Sequence, residues 1–297
     1  MGAGRSPRAG PPRNHRILPR KNDLKPFLKW AGNKYSILER IAVKLPSGQR
    51  LIEPFVGSGA VFLNTSFREN LLADNNPDLI FLYRTLQEEG QNFIDYCRSF
   101  FDEEHNEETI YYQLRETFNT TEDCRLKAAL FLYLNRHGYN GLCRYNAKGI
   151  FNTPFGRYKK PYFPAKEMLS FHQKSKSALF ICADFAETMG QAQSGDVVYC
   201  DPPYVPLSPT SNFTSYSTGG FGELQQIQLA TLAEELAMKG IPVLLSNHDT
   251  PFVRTTYAAA KLNSFDVQRY ISCRGSNRNK AKEVLALFKK KRKRKDA

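Results

Sequence analysis

The clearest chemical signal in this 297-residue sequence is the run Asp201-Pro-Pro-Tyr204. It follows an apolar run at 197–200, which predicts a buried strand that ends at the carboxylate. The two prolines fix the backbone and remove two amide donors, so the Pro202 carbonyl is free to accept a hydrogen bond from a ligand. A carboxylate and a carbonyl could together accept both N–H groups of an aromatic amine and make its lone pair available. Tyr204 adds a ring on which a nucleobase could stack.

A second candidate site is Glu53-Pro-Phe-Val-Gly-Ser-Gly59, which follows a short apolar run at 50–54. Glycines in such a turn let the backbone approach a ligand that a Cβ would block, although a lone Gly-x-Gly is also an ordinary turn. Asp74 ends the next apolar run, where a carboxylate can accept hydrogen bonds from ribose hydroxyls. The sequence lacks the full phosphate-binding fingerprint and a Walker lysine. The pattern therefore favours a nucleoside cofactor without phosphates.

The elements that must position these residues alternate between strand and helix patterns at both ends of the chain. This alternation predicts a largely parallel α/β sheet. The predicted strands lie at 50–54, 71–74, 179–182, 197–200 and 241–245, and two further β-rich runs at 265–272 and 283–288 predict an edge hairpin.

The section 79–177 lacks this alternation, and we interpret it as a mostly helical insertion with a loop or hairpin at 139–163. The predicted domains are a catalytic unit at 26–78 and 178–288 and the insertion between its halves. Basic, disordered tails are predicted at 1–25 and 289–297. A segment at 205–222, rich in Ser, Thr, Gly and Pro, predicts a mobile lid beside the Asp201 loop.

The net charge of +13 lies mostly at the two ends. Residues 1–25 and 289–297 together hold fourteen Lys or Arg against two Asp, so the remaining body is almost neutral. Within that body, residues 124–166 hold nine Lys or Arg and no acidic residue. Such a local excess is typical of a phosphate-binding face, although a solvated basic surface explains the charge alone equally well.

The cysteine pattern and the hydropathy exclude several classes of protein. The six cysteines are scattered, with no C-x-x-C pair and no histidines at metal spacing, which predicts reduced thiols, no metal site and a cytoplasmic location. No run of about 18 apolar residues is present, so no membrane span is expected.

Taken together, the motifs resemble the Dam-type family of adenine-N6 DNA methyltransferases, in the order cofactor motif, recognition insertion and DPPY. Three further motifs carry the resemblance: Phe27-Leu-Lys-Trp-Ala-Gly-Asn-Lys34, Leu130-Phe-Leu-Tyr-Leu-Asn-Arg-His-Gly-Tyr-Asn-Gly-Leu-Cys-Arg-Tyr-Asn146 and Phe151-Asn-Thr-Pro-Phe-Gly-Arg-Tyr-Lys-Lys-Pro161. The resemblance covers residues 26–288. It implies a Rossmann-like methyltransferase sheet with an inserted target-recognition domain, S-adenosylmethionine as cofactor and double-stranded DNA as partner. It also implies monomeric action on an adenine flipped out of a GATC site.

The resemblance assigns roles residue by residue. The methyl donor would contact Trp30, Lys34, Asp74 and Asp201, above a turn formed by Phe55, Gly57 and Gly59. The catalytic residues would be Asp201, Pro202 and Tyr204. The residues that would read the base sequence are Lys29, Leu142, Arg144, Pro154 and Tyr158. Those that would wedge into the duplex are Tyr139 and Asn140. Those that would contact phosphates are Arg115, Arg136, Asn146, Asn152 and Arg157. Independently, arginine is the residue that reads guanine with two hydrogen bonds in the major groove, which suits Arg144.

The sequence departs from the family at Asn33, where a second glycine is usual. If that position needs a positive φ, asparagine is the least costly replacement. Two other interpretations stay open here: methylation of another amine (cytosine N4, RNA or a protein amide), and a DNA-binding module that has lost activity through Asn33. Asp201 and the long insertion argue against the first.

Overall fold

The computed structural model describes residues 24–206, 221–267 and 281–290. The predicted tails and the predicted lid lie almost wholly outside these residues, as does the second half of the run at 265–272.

Seven strands form one mixed sheet, which confirms the predicted α/β class. In chain order they are β1 (Arg50–Glu53), β2 (Glu69–Asp74), β3 (Ala178–Cys182), β4 (Asp196–Cys200), β5 (Val243–His248), β6 (Lys261–Val267) and β7 (Ala281–Phe288). Their order across the sheet is β3-β2-β1-β4-β5-β7-β6. The first five are parallel, and β7 runs antiparallel between β5 and β6. The expected edge hairpin is therefore present.

Ten α-helices accompany the sheet in the described residues. They are α1 (Leu38–Lys44), α2 (Ala60–Leu63), α3 (Pro77–Glu89), α4 (Gln91–Arg98), α5 (Glu108–Thr120), α6 (Cys124–His137), α7 (Ala165–Ser175), α8 (Phe185–Gly190), α9 (Glu223–Met238) and α10 (Pro251–Thr256). Helix α6 begins at a side-chain cap from Asp123 and is buried on all sides over its last ten residues. A helix that is apolar around its circumference belongs in a core, and α6 is the centre of the helical insertion.

Two strand boundaries differ from the predicted ones. The run at 241–245 is the strand Val243–His248, which ends in three polar residues that pair with β7. The apolar pattern stops before these residues because their side chains form hydrogen bonds at the site described below. Within the described residues, the run at 265–272 belongs to the strand Lys261–Val267, which starts four residues earlier than the predicted strand.

The strand order creates a switch point at β1. The chain goes from β1 to β2 and β3 on one side, and then crosses to β4 on the other side of β1. In open α/β sheets, ligands bind at the carboxyl ends of the strands at such a point. The turn at 54–59 follows β1 and the loop at 201–204 follows β4, so the topology brings the two predicted motifs to one crevice.

The insertion shares its core with the sheet. Arg84 on α3 donates to the Phe180 carbonyl of β3, and Gln87 donates to the Ala178 carbonyl. After α6 the chain forms a hairpin with bridges between Tyr145 and Phe151 and between Gly138 and Phe155. None of the helices in the described residues is long and apolar enough to span a membrane.

Candidate active site

The turn after β1 is built around glycine. Gly57 has a φ of +45°, and its N–H donates to Asp74 Oδ2 at 3.1 Å. A Cβ at this position would lie 2.8 Å from Trp30 Nε1, so the indole packs directly against the glycine backbone. Gly59, with a φ of +71°, then starts α2. The predicted residues Trp30, Gly57, Gly59 and Asp74 therefore lie together.

Asp74 at the end of β2 is a constrained carboxylate. Burial raises its pKa to about 6, against the opposing effect of hydrogen bonds from the N–H groups of Asn76 and Gly57. Near neutral pH the group is still ionised, so it can accept hydrogen bonds from two hydroxyls.

This shift predicts a pH dependence of stability. The folded carboxyl binds its proton more tightly than the unfolded one, so its contribution to the free energy of unfolding falls as pH rises from 3.8 through about 6. We expect the free energy of unfolding of wild type, measured in urea, to fall relative to that of Asp74→Asn across this window. Parallel curves for the two proteins would contradict the assignment.

The loop after β4 places a carboxylate between a cation and a hydroxyl. Lys34 Nζ lies 2.9 Å from Asp201 Oδ1, and Ser246 Oγ on β5 donates to the same oxygen at 3.1 Å. Burial raises the pKa of Asp201, and the Lys34 ammonium is the largest influence that lowers it again. Lys34 Nζ also lies 4.5 Å from the centre of the Tyr204 ring. Lys34, Asp201 and Tyr204 thus form one cluster.

Tyr204 is held on its other sides by groups from β5 and β7. Its ring meets the His248 ring edge-on with centroids 4.8 Å apart, and its hydroxyl donates to Glu283 Oε2 at 3.4 Å. Phe55, in the turn after β1, stacks on Phe185 at 5.7 Å between ring centroids and supplies an apolar wall.

Sequence reasoning did not single out Glu53. Its side chain is 2 % exposed, and Oε1 has no hydrogen-bond partner among the described residues. Burial, reinforced by the nearby Asp201 charge, raises its pKa well above the usual value. Glu53 is therefore a buried carboxyl whose ionised form is disfavoured by burial and by the neighbouring Asp201. Its position at the end of a strand beside a Gly-x-Gly turn was the available sequence signal.

Asn33 does not occupy the strained position that the sequence suggested. Its φ is −48°, and the positive φ of +76° belongs to Gly32. Asn33 Oδ1 accepts a hydrogen bond from Tyr35 N at 2.8 Å and caps the 3₁₀ turn Lys34–Ile37 that carries Lys34. The concern that Asn33 tolerates a conformation meant for glycine is therefore wrong, since asparagine contributes a cap here.

We expect Asn33→Ala to lower the free energy of unfolding by about 1 kcal/mol, because it removes this cap. Asn33→Gly introduces the residue that is usual in the family. It should lower the free energy of unfolding by only about 0.3 kcal/mol and leave methyl transfer near the wild-type level. Equilibrium unfolding in urea measures both. A large loss of transfer in Asn33→Gly at unchanged stability would show that Asn33 has a role beyond capping.

The crevice fits a nucleoside cofactor. A Cβ at Gly57 would fill the space against the turn, and Asp74 lies at the end of the adjacent strand. The turn at 53–59 contains no lysine that could bind a phosphate. Among the residues described, no three His, Cys, Asp or Glu side chains cluster as a metal site. The described cysteines are free thiols.

In the hairpin that follows α6, Asn152 on one arm holds the side chain of Arg144 on the other arm. Arg144 Nε donates to Asn152 Oδ1 at 2.7 Å, and Nη2 donates to the Asn152 carbonyl at 2.8 Å. Asn146 Oδ1 accepts from Lys148 N and Ile150 N and so closes the turn at the hairpin tip. These three predicted DNA-contacting residues lie on one hairpin.

A second group of predicted DNA-contacting residues surrounds the start of this hairpin. Lys29 Nζ lies 4.0 Å from the centre of the Tyr158 ring, and the Tyr158 hydroxyl accepts from Asn140 N at 2.9 Å. Asn140 has a φ of +53°, and the neighbouring Tyr139 side chain is 52 % exposed. Burial and the Arg136 charge lower the pKa of Lys29. An exposed aromatic ring on a tight turn suits a wedge.

The remaining predicted DNA contacts differ in exposure. Leu142 and Pro154 are half-buried on the hairpin, Arg115 donates to the Thr153 carbonyl, and Arg157 is exposed and ion-paired with Glu108.

Arg136 is only 8 % exposed, and its guanidinium donates to the Phe27 carbonyl. In this arrangement Arg136 ties α6 to the segment that leads to Trp30, and little of it is available to a phosphate.

Comparison with known proteins agrees with this geometry. Residues 30–271 match the family described as D12 class N6 adenine-specific DNA methyltransferase. The chain is 53 % identical over 262 residues to a DNA adenine methylase of Salmonella typhi, covering 88 % of this chain and 94 % of that protein. It is 52 % identical over 263 residues to DNA adenine methylases of Escherichia coli (strain K12), covering 89 % and 95 %, and of Vibrio cholerae serotype O1, covering 88 % and 95 %.

Solved structures that superpose on the chain include an rRNA methyltransferase from Streptomyces viridochromogenes, with a TM-score of 0.37, 12 % identity and coverage of 91 % and 93 %. A putative RNA methyltransferase from Pyrococcus horikoshii gives a TM-score of 0.37 at 9 % identity, with coverage of 92 % and 99 %. The sequence matches carry the assignment: the chain belongs to the D12 class N6 adenine-specific DNA methyltransferase family and is an adenine-specific DNA methyltransferase.

Proposed function

We propose that the protein transfers a methyl group from S-adenosylmethionine to N6 of an adenine flipped out of duplex DNA, within the sequence 5′-GATC-3′. The observation that carries this proposal is the cluster in which Lys34 and Ser246 hold Asp201 beside Tyr204, at the switch point of the sheet. The adenine amine is paired inside the duplex, so the base must leave the stack before it can reach a crevice of this kind.

The donor would lie against the turn after β1. Trp30, Phe55, Gly57 and Gly59 would form its floor and walls, and Asp74 would accept hydrogen bonds from its ribose hydroxyls. Lys34 and Asp201 would border its other end. Bound there, S-adenosylmethionine would supply a methyl group activated by a positively charged sulfur.

The chain's own residues would prepare the acceptor. Asp201 and the Pro202 carbonyl would accept hydrogen bonds from the two N–H groups of the amine, which frees the nitrogen lone pair. Lys34 and Ser246, which both contact Asp201 Oδ1, would hold the carboxylate in place for this role. Tyr204 would stack on the flipped base, a contact worth about 1–3 kcal/mol per base.

Recognition would fall to the hairpin that follows α6. The two hydrogen bonds that the Arg144 guanidinium donates to Asn152 hold it in a fixed plane, as a residue that reads guanine with two hydrogen bonds requires. Tyr139 would fill the space that the flipped base leaves, which offsets part of the unstacking cost. We further propose that the protein acts as a monomer, in the cytoplasm, where a bacterial chromosome lies.

The test is methyl transfer from labelled S-adenosylmethionine to two short duplexes, one with GATC and one in which its A·T pair is replaced by G·C. The proposal requires strong labelling of the first duplex alone. Equal labelling of both would keep the reaction and discard the GATC site. Labelling of neither, with DNA still bound, would contradict the proposed donor or the proposed acceptor.

A further inference from the structure

The backbone just after Pro202 is held by three side chains that lie outside the motifs discussed so far. Gln226 on α9 donates from Nε2 to the Pro203 carbonyl at 2.8 Å. Asn247 on β5 accepts at Oδ1 from Val205 N at 3.1 Å. His248 Nδ1 lies 2.7 Å from the Val205 carbonyl oxygen. Three backbone polar groups of the segment 203–205 are thus each bonded to a side chain on α9 or β5.

These side chains also fix one another's orientation. Because Asn247 Oδ1 accepts from Val205 N, Asn247 Nδ2 must face the other way, where it donates to Gln226 Oε1 and to the Tyr257 hydroxyl, both at 3.0 Å. The Tyr257 hydroxyl donates to Gln226 Oε1 at 3.1 Å. With its oxygen occupied in this way, Gln226 can present only its N–H group to the Pro203 carbonyl. The backbone N–H groups of Val205 and His248, which both donate to Asn247 Oδ1, therefore determine the direction of the whole chain of bonds.

The network is almost completely shielded from water. Gln226 is 2 % exposed, and Asn247 and Tyr257 are 0 % exposed. Buried polar groups of this kind are costly when unpaired, and a fully satisfied network makes its surroundings rigid. On β5, the neighbouring residue Ser246 donates to Asp201 while Asn247 holds Val205. Two adjacent residues at the end of β5 therefore bind the catalytic loop, one at its first residue, Asp201, and one just after its last, at Val205.

We propose that the network of Gln226, Asn247 and Tyr257 is a positioning device, which holds the Asp201–Tyr204 loop so that the Asp201 carboxylate and the Pro202 carbonyl face the substrate amine together. This inference rests on the catalytic role proposed for that loop. The three residues touch neither donor nor DNA in this scheme. They act on the rate of the methyl-transfer step through the loop backbone.

The sharpest test is Gln226→Glu, which keeps the shape of the side chain and replaces the NH₂ group that donates to the Pro203 carbonyl with an oxygen. An ionised carboxylate repels the Pro203 carbonyl, whereas a protonated one can donate to it. Displacement of a reacting group by about 1 Å can cost about 100-fold in rate, so we expect a loss of up to that size at pH 8. Since burial raises the pKa of a carboxyl, the ratio of variant to wild-type rate should recover as pH falls toward about 6.

Gln228→Glu is the matched control, because Gln228 is exposed two residues further along the same helix. It adds the same charge without touching the loop, and its ratio to wild type should stay flat with pH. The other titratable groups around the network (His248, Tyr257, Glu283 and Asp201) are present in all three proteins. Gln228→Glu shows how the rate changes with pH when the added carboxylate lies away from these groups.

Single-turnover transfer from labelled S-adenosylmethionine to a GATC duplex gives the rate, and thermal unfolding and DNA binding are measured beside it. A slow, pH-recovering Gln226→Glu with wild-type DNA affinity supports the inference. A Gln226→Glu rate equal to that of Gln228→Glu at pH 8, or a rate loss that does not recover at low pH, overturns it. Inactivity of wild type itself would instead contradict the proposed function.

Should Gln226→Glu fail to fold, Tyr257→Phe decides the matter. It removes only the hydroxyl, and with it the two hydrogen bonds to Gln226 and Asn247. If the loosened loop costs the transition state the net free energy of one such bond, the rate falls by about 2- to 10-fold. A folded Tyr257→Phe protein with the wild-type rate would overturn the inference.

Discussion

Replacing Asp201 with alanine is expected to lower the rate of methyl transfer by about 10³-fold while DNA affinity stays close to wild type. The carboxylate is an acceptor in the crevice that is held in place by both a cation and a hydroxyl, Lys34 at 2.9 Å and Ser246 at 3.1 Å. Without it the amine keeps one N–H group unpaired and its lone pair stays delocalised into the ring. Single-turnover transfer and a DNA-binding titration separate the two effects.

Asp266→Ala is a suitable control for this substitution. Asp266 is an exposed aspartate on β6, the strand at the far edge of the sheet, so its loss removes the same charge away from the crevice. We expect that variant to retain the wild-type transfer rate. Near-normal turnover in Asp201→Ala would remove the mechanism proposed here.

Replacing Arg144 with alanine is expected to relax discrimination at one base pair of the site by about 1–3 kcal/mol, which is about 5- to 150-fold. Two of the guanidinium N–H groups are engaged by Asn152 on the opposite arm of the hairpin. Arginine has five such groups, so the remaining ones can still reach a base edge in an orientation that the protein has fixed. Transfer rates on GATC and on duplexes with single substitutions measure the discrimination directly.

Arg157→Ala provides the contrast. Arg157 is exposed and pairs with Glu108 at 3.1 Å, and its predicted partner is a phosphate rather than a base. Its loss should weaken binding to cognate and altered duplexes equally and reduce the salt dependence of binding by about one unit of slope. If Arg144→Ala behaved in the same way, Arg144 would be a phosphate contact.

The sequence predicted the two ends of the crevice because local signals define them. Apolar runs followed by a Gly-x-Gly turn and by Asp-Pro-Pro-Tyr place Gly57 and Asp201 after buried strands, and the structure has them there. It could not predict which strands lie side by side. The adjacency of β4 and β5 brings Ser246 next to Asp201, and the 3₁₀ turn Lys34–Ile37 brings Lys34 to the same carboxylate. Such contacts are set by long-range packing.

Buried polar residues were the other feature hidden from the sequence. Ser246 and Asn247 interrupt the apolar pattern of β5, so the predicted strand stopped at residue 245, although they continue the strand and hold the catalytic loop. Arg136 shows the converse. Its place in a family motif predicts a phosphate contact, which stays a prediction, and the motif gave no sign that helix packing places its guanidinium against the Phe27 carbonyl. Periodicity records how apolar a position is, and it does not record which polar partner a buried position has.

The most direct test of the central claim is to identify the nucleoside that receives the methyl group. A GATC duplex is incubated with the protein and labelled S-adenosylmethionine, then digested to nucleosides and separated. We predict that the label is recovered as N6-methyldeoxyadenosine from wild type and that, at equal reaction time, far less of it is recovered from Asp201→Ala, in line with its lower rate. Recovery as N4-methylcytosine, or label that remains attached to the protein, would contradict direct transfer to adenine by this site.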